Sequence, residues 1–99
     1  MTVTTIGFVA TAKSERYIQQ LIKHWRHRLS ITEADGVATI PFNPQVTLTL
    51  KASPAGIKMS LSVPDDAEDM RFRKVFESHL DRFAFREVPL GYAWTRQPG

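Results

Sequence analysis

Three histidines and several arginines are the residues of this sequence that are best suited to chemistry. His24 and His27 are three residues apart, which places two imidazoles on neighbouring surface positions of a helix, and imidazole binds zinc, copper, iron and nickel. A metal site needs further ligands, and the same segment has no carboxylate at a matching spacing. We therefore predict one surface histidine and one boundary histidine, with no metal and no cofactor.

His79 lies within an apolar, phenylalanine-rich stripe at helical spacing, where a polar ring must find a hydrogen-bond partner. We predict a mostly buried His79 that is neutral at pH 7, with one ring nitrogen bonded to the backbone or to Tyr17. We favour a core histidine whose hydrogen bond is made within the protein over a histidine that binds a ligand or takes part in catalysis. The functional alternative rests on Arg82 and Arg86, which follow on one flank of the same helix.

One flank of each predicted helix carries polar or cationic side chains, and together these make the candidate ligand-binding residues: Tyr17, His24, Arg28, His79, Arg82 and Arg86. If the two flanks meet, their side chains form a polar, cationic strip between the helices. Arginine offers forked donors to a carboxylate, a phosphate or a hydroxamate-type chelate. The alternative, which we favour slightly, is that the arginines of the second helix pair with neighbouring acids, Asp81 or Glu87.

The sequence has no glycine-rich phosphate loop, no nucleophile elbow and no metalloprotease helix. Because it has no cysteine, it also lacks thiolate metal sites and cysteine nucleophiles. A binding or accessory module is the first hypothesis, and an enzyme is disfavoured. The second hypothesis is a small metal-binding protein or enzyme using His24 and His79. The third is a structural homodimer.

The composition is that of one ordinary globular domain spanning residues 1–99, with 42% hydrophobic and 23% charged residues. The lack of cysteine and of a signal-peptide layout indicates the cytoplasm. No run of about 18 apolar residues predicts a membrane span.

The net charge of +3 permits an acidic partner, but basic residues concentrate in segment 13–28 and acidic ones in segment 65–69. Lys51 and Lys58 share a predicted polar sheet face without the aromatic or apolar residues that nucleic-acid binding uses. We therefore expect an anionic small molecule or a protein partner rather than a nucleic acid.

The hydrophobic spacing predicts the elements that position these residues. Segment 3–11 is rich in strand-forming residues. Apolar residues from Ile18 to Leu29 then recur at helical spacing, with Thr11 or Ser14 as the N-cap.

Short strands follow, separated by glycine, proline and asparagine. Segments 46–50 and 57–63 alternate between apolar and polar residues, as paired strands do. Asp65 caps a second helix that ends before Pro89, and segment 90–99 is either a last short strand or a docked tail.

The resulting order is β-α-β-β-β-β-α. It predicts an α+β fold in which an antiparallel sheet of about five strands carries both helices on its one apolar face, as in the TATA-binding-protein-like topology. A single core is expected to combine strand residues with helix residues: Val46, Leu48, Leu50, Ile57, Met59 and Leu61 with Ile18, Leu21, Trp25, Phe72, Phe76 and Phe83.

Two stretches carry a family resemblance: Arg16–His27, which reads RYIQQLIKHWRH, and His79–Glu87, which reads HLDRFAFRE and is followed by Trp94. Together they resemble the bacterial family known as domain of unknown function 2218, over nearly the whole chain. The resemblance implies no established activity. It implies that some members are associated with siderophore-interacting flavin reductases, and hence with iron uptake.

Overall fold

The computed structural model describes residues 2–97 of the chain. Its elements follow in this order: β1 (Val3–Ala10), α1 (Ser14–Trp25), β2 (Thr32–Ala34), β3 (Val37–Asn43), β4 (Val46–Ala52), β5 (Gly56–Val63), α2 (Asp66–Phe83) and β6 (Tyr92–Arg96). The strands form one antiparallel sheet in the order β2-β3-β4-β5-β1-β6. The predicted α+β class and element order are confirmed.

The sheet has six strands where the sequence predicted about five. The additional strand is β6, which comes from the segment that was left open between a strand and a tail. It pairs with β1, and Trp94 lies directly opposite Gly7 in the register. Pro98 and Gly99, which belong to the same predicted segment, lie outside the described residues.

The register of β4 and β5 sorts apolar and polar side chains onto opposite faces. Leu48 lies opposite Leu61 on one face, whereas Lys51 lies opposite Lys58 on the other. Because side chains alternate along a strand, each apolar pair is followed by a polar pair. The apolar face is the one that both helices cover, since α1 contacts β4 and β5 and α2 contacts β5 and β1.

The core has the membership that the periodicities predicted. All six predicted strand residues are at most 2% exposed, and they cluster with the buried predicted helix residues, which are Ile18, Leu21, Trp25, Phe72 and Phe76. Phe83 is the exception. It is half-buried and packs against the edge of this cluster, close to the gap between the two helices.

The start of α1 differs from the prediction. Neither Thr11 nor Ser14 caps the helix, since the N-cap residue is Lys13 and it makes no side-chain capping bond. The Thr11 hydroxyl instead accepts the Lys13 N–H at 3.1 Å, and the Ser14 hydroxyl donates to the carbonyl of Ser53 at 2.7 Å. The Ser14 bond fixes the start of α1 to the β4–β5 turn.

The start of α2 is as predicted. The Asp65 carboxylate accepts the backbone N–H of Glu68 at 2.8 Å, which satisfies one of the free donors of the first turn. Within the described part of the chain, no helix has both the length and the apolar character needed to cross a membrane.

One flank of α2 explains why the last segment forms a strand. The indole Nε1 of Trp94 donates to Glu77 at 2.7 Å, and the Tyr92 hydroxyl donates to Asp81 at 2.7 Å. Gly7 leaves room for the Trp94 ring, since a Cβ there would lie 2.6 Å from Trp94 Cε3. The acidic flank of α2 therefore fastens β6 to the rest of the sheet.

Candidate functional site

The two helix flanks that the sequence singled out do meet. The ring centroids of His24 on α1 and His79 on α2 are 5.0 Å apart, and the Trp25 ring is 5.1 Å from His79. The Phe83 ring lies 6.1 Å from that of His24. The two imidazoles thus form one aromatic cluster at the interhelical contact.

His79 is half-buried rather than mostly buried, because the groove beside α1 leaves part of its ring in contact with solvent. Its Nδ1 lies 2.7 Å from the carbonyl oxygen of Val75, one turn earlier, so Nδ1–H donates to that oxygen. The predicted backbone bond is confirmed. This bond leaves Nε2 as the ring nitrogen that is available to a ligand.

His24 is exposed, yet its pKa is lowered from 6.5. The first cause is partial desolvation of the ring, which packs against His79 and Phe83. The second cause is electrostatic repulsion of the protonated His24 ring by its neighbours, with His79 first, then Arg82, Arg28 and His27. The guanidinium groups of Arg28 and Arg82 make the local field positive, which favours an incoming anion.

One end of the interhelical contact brings three of the candidate residues together. His24, Arg28 and His79 line a depression of about 480 Å³ together with Trp25 and His27. Arg82 does not line it. Arg82 is exposed on α2 and acts on His24 only through its charge.

The other two candidate residues, Tyr17 and Arg86, lie at the opposite end. They line a second depression of about 270 Å³ with Lys13, Arg16, Gln20, Phe83 and Phe85. Tyr17 is only 4% exposed, and its hydroxyl donates to the carboxylate of Glu87. The Tyr17 hydroxyl is therefore engaged within the protein, whereas the Arg86 guanidinium is exposed beside the depression.

A third depression, of about 370 Å³, joins the two ends. It shares Gln20 and Phe83 with the depression of about 270 Å³, and His24 and His27 with the depression of about 480 Å³. Lys23 completes its wall. We call the three joined depressions the interhelical groove. Its walls hold lysines, arginines and histidines, and none of the described lining residues is a carboxylate.

An unpaired acceptor lies midway along the interhelical groove. The side-chain oxygen Oε1 of Gln20 is buried and has no hydrogen-bond partner among residues 2–97. A buried polar atom without a partner is uncommon in folded proteins and calls for an explanation.

The predicted pairing of Arg82 or Arg86 with Asp81 or Glu87 is wrong. The ion pairs of the described residues join Arg71 with Glu68, Arg73 with Asp69 and Arg96 with Asp66. The two acids accept neutral donors instead: Asp81 accepts from Tyr92, and Glu87 accepts from Tyr17 and Thr11. Arg86 lies over the ring of Phe85, 5.5 Å from its centroid.

The sequence pattern of a protein family described as "Uncharacterized protein conserved in bacteria (DUF2218)" matches residues 7–95. The chain belongs to this family. A solved structure, the NMR structure of PA4090 from Pseudomonas aeruginosa, is 28% identical in sequence, covering 94% of this chain and 95% of that one, with a TM-score of 0.78. No curated protein matches the sequence.

In this member of the DUF2218 family, the sequence reasoning missed Glu87 as an organising residue. The Glu87 carboxylate accepts from the Thr11 hydroxyl at 3.0 Å as well as from Tyr17. The Tyr17 hydrogen bond is the main cause of the lowered pKa of Glu87, and burial followed by Glu87 raises the pKa of Tyr17. The sequence offers no signal for this cluster, since Thr11 and Glu87 are 76 residues apart.

The sequence reasoning also left Lys13, Arg16, Gln20 and Phe85 out of the site. The basic residues among them were visible as part of segment 13–28, but only the fold shows that they face Arg86. Across residues 2–97, no group of three or more His, Cys, Asp or Glu side chains is placed to hold a metal ion.

Proposed function

We propose that this chain, as a single domain, is a binding module that takes an anionic ligand into the interhelical groove. The observation that carries this proposal is the composition of the groove, whose described walls combine five Lys or Arg side chains and three His side chains with no carboxylate. A net charge of +3 alone does not require such a concentration of positive charge.

Two carboxylates adjoin these cations without lining the groove. Glu15 lines a neighbouring depression with Lys13 and Arg16 and forms no ion pair among the described residues. Glu87 directs its oxygens to the hydroxyls of Tyr17 and Thr11. The Arg86 and Arg16 guanidinium groups are exposed and have no ion-pair partner among the described residues. An anionic ligand supplies that partner, and charge-assisted bonds from arginine to an oxyanion are stronger than bonds between neutral groups.

The family resemblance suggests a cellular context for this activity. Because the resemblance implies that some members are associated with siderophore-interacting flavin reductases, we include oxygen-rich iron chelates and a reductase partner among the candidate ligands. The chemistry agrees in one respect, since such chelates present carboxylate or hydroxamate oxygens that arginine recognises.

Titration of the ¹⁵N-labelled protein with citrate tests the proposal. The expected result is that amide shifts concentrate at Gln20, His24 and Phe83, with little change at Thr49 and Ser60 on the uncovered sheet face. Citrate shifts that spread evenly over both faces, or no shifts at millimolar citrate, contradict it.

A matched pair of double variants separates groove binding from general charge. Arg16→Gln with Arg86→Gln and Lys51→Gln with Lys58→Gln each lower the net charge from +3 to +1. We expect the first pair to weaken citrate binding about tenfold and the second pair by less than about twofold, since screening limits the reach of exposed charges. Equal losses in isothermal titration calorimetry reject the groove as the site.

A further inference from the structure

The length of the interhelical groove restricts its ligand. The groove runs along α1, whose 12 residues span about 18 Å at 1.5 Å per residue. Cationic side chains stand at both ends, with Lys13 and Arg16 at one and Arg28 at the other. A compact anion such as citrate occupies only one end, whereas about six residues of extended polypeptide, at about 3.3 Å each, reach along the whole groove.

The groove also offers apolar contacts. Phe83 is half-buried in the wall that the depressions of about 270 and 370 Å³ share, and Phe85 is 66% exposed beside Arg86. A side chain this apolar and this exposed is a typical anchor point of a protein interface. Val88, in the same segment, is 44% exposed.

From the length and charge of the groove and from its exposed apolar side chains, we infer that the interhelical groove binds an acidic, extended segment of a partner polypeptide that also carries apolar side chains. This inference rests on the proposed anion-binding function and names the class of its ligand. Acidic side chains meet the arginines and lysines, and an apolar side chain packs on Phe85.

Single-stranded nucleic acid is the competing ligand, because it also combines negative charge with flat, apolar groups. Proteins that bind it stack successive bases on several aromatic side chains. In the described groove walls Phe85 is the only exposed Phe, Tyr or Trp side chain, since Phe83 is half-buried and Trp25 and Tyr17 are buried. The other exposed rings are the smaller imidazoles of His24 and His27. The observations therefore favour the polypeptide.

Fluorescence anisotropy tests the inference with a labelled peptide of about eight residues that alternates glutamate and leucine, enough to fill the groove at about 3.3 Å per residue. Its control replaces every glutamate by glutamine. We expect the acidic peptide to bind at least about tenfold more tightly than citrate and than a thymidine oligonucleotide of equal length. The glutamine peptide should bind at least about tenfold more weakly than the acidic one.

A second control peptide distinguishes this inference from the proposed function. It keeps the glutamates and replaces every leucine by serine, so it retains the charge and loses the apolar contacts, and we expect it to bind at least about tenfold more weakly than the glutamate–leucine peptide. Binding of citrate together with glutamate–leucine peptide binding that is no tighter than that of citrate, or that ignores the change to serine, overturns the inference and leaves the proposed function standing. Failure of both probes overturns both. Tighter binding of the oligonucleotide replaces the polypeptide with a nucleic acid.

Discussion

Removal of the Glu87 carboxylate is the most direct test of how the groove is held together. Glu87 belongs to the segment that follows α2, and its oxygens accept from Tyr17 on α1 and from Thr11 between β1 and α1. It therefore ties the residues that carry Phe85 and Arg86 to the start of the first helix. A substitution here acts on stability and on one wall of the groove at once.

The expected loss of unfolding free energy follows from these two hydrogen bonds. The Tyr17 ring is only 4% exposed, so Glu87→Ala leaves its hydroxyl without a partner and nearly without water. An unsatisfied buried hydroxyl costs about 1–3 kcal/mol, and the lost bond from Thr11 adds about 1 kcal/mol. We expect Glu87→Ala to lower the free energy of unfolding by about 3 kcal/mol, and Glu87→Gln, which retains an acceptor, by about 1 kcal/mol.

Urea denaturation at pH 7 measures both variants, and a double-mutant cycle isolates the central bond. Tyr17→Phe removes the donor and keeps the ring, so combining it with Glu87→Gln should cost less than the sum of the single changes by about 1–2 kcal/mol. Strict additivity of the two substitutions, or a Glu87→Ala protein as stable as the wild type, refutes the reasoning.

The pH dependence gives an independent check on the same bond. The Tyr17 hydrogen bond is the largest influence on the pKa of Glu87 and lowers it from 4.5, with Thr11 and the charge of Lys13 acting in the same direction against burial. A lowered pKa in the folded protein stabilises it above pH 4.5, and the stabilisation is lost as the pH falls through the folded-state pKa. The stabilities of the wild type and Glu87→Gln should therefore converge once the pH lies below the folded-state pKa of Glu87.

Three further predictions concern the core, the sixth strand and the histidine pair. Phe76→Ala should cost about 3–5 kcal/mol in urea denaturation because Phe76 is 1% exposed, whereas His27→Ala should cost less than about 0.5 kcal/mol; equal costs contradict this. Gly7→Ala should cost about 1–3 kcal/mol and perturb the fluorescence of Trp94, because the added Cβ lies 2.6 Å from its ring; an unchanged spectrum and stability contradict this. An NMR titration of His24 should give a midpoint below 6.5. Because the folded protein then resists protonation of His24 more than the unfolded chain does, the stability of the protein falls as the pH drops through 6.5. A midpoint above 6.5 contradicts the packing described.

The parts of the fold that the sequence predicted correctly depend on local patterns. Alternation along β4 and β5 specifies which face is buried, and Asp65 specifies the start of α2 through a bond to Glu68, three residues away. The sequence left β6 open between a strand and a docked tail, because its position depends on bonds from Tyr92 to Asp81 and from Trp94 to Glu77. No periodicity within five residues encodes contacts of that kind.

The candidate site was predictable to a similar degree. The helical wheel places His24 and His79 on the flanks that meet. Of the six proposed residues, three line one end of the groove, two line the other, and Arg82 lines neither. The pairing of the α2 arginines was wrong, since a sequence shows neighbouring opposite charges but not the tyrosine donors that compete for the acids. The roles of these residues in binding stay predictions, and so does the assignment of residues 1–99 to a single domain.

The charge of the groove originates in how α2 divides its polar residues between two flanks. Asp69, Glu77 and Asp81 face β1 and β6, where Thr5, Trp94 and Tyr92 donate to them. The acids of the helix are thus used to attach two strands, and the flank toward α1 keeps His79 with Phe83. Because α1 contributes a basic face and α2 contributes no carboxylate there, positive charge accumulates between the helices. The same bonds that add the sixth strand therefore leave the groove without an internal counter-charge, and this is why we assign that counter-charge to a ligand.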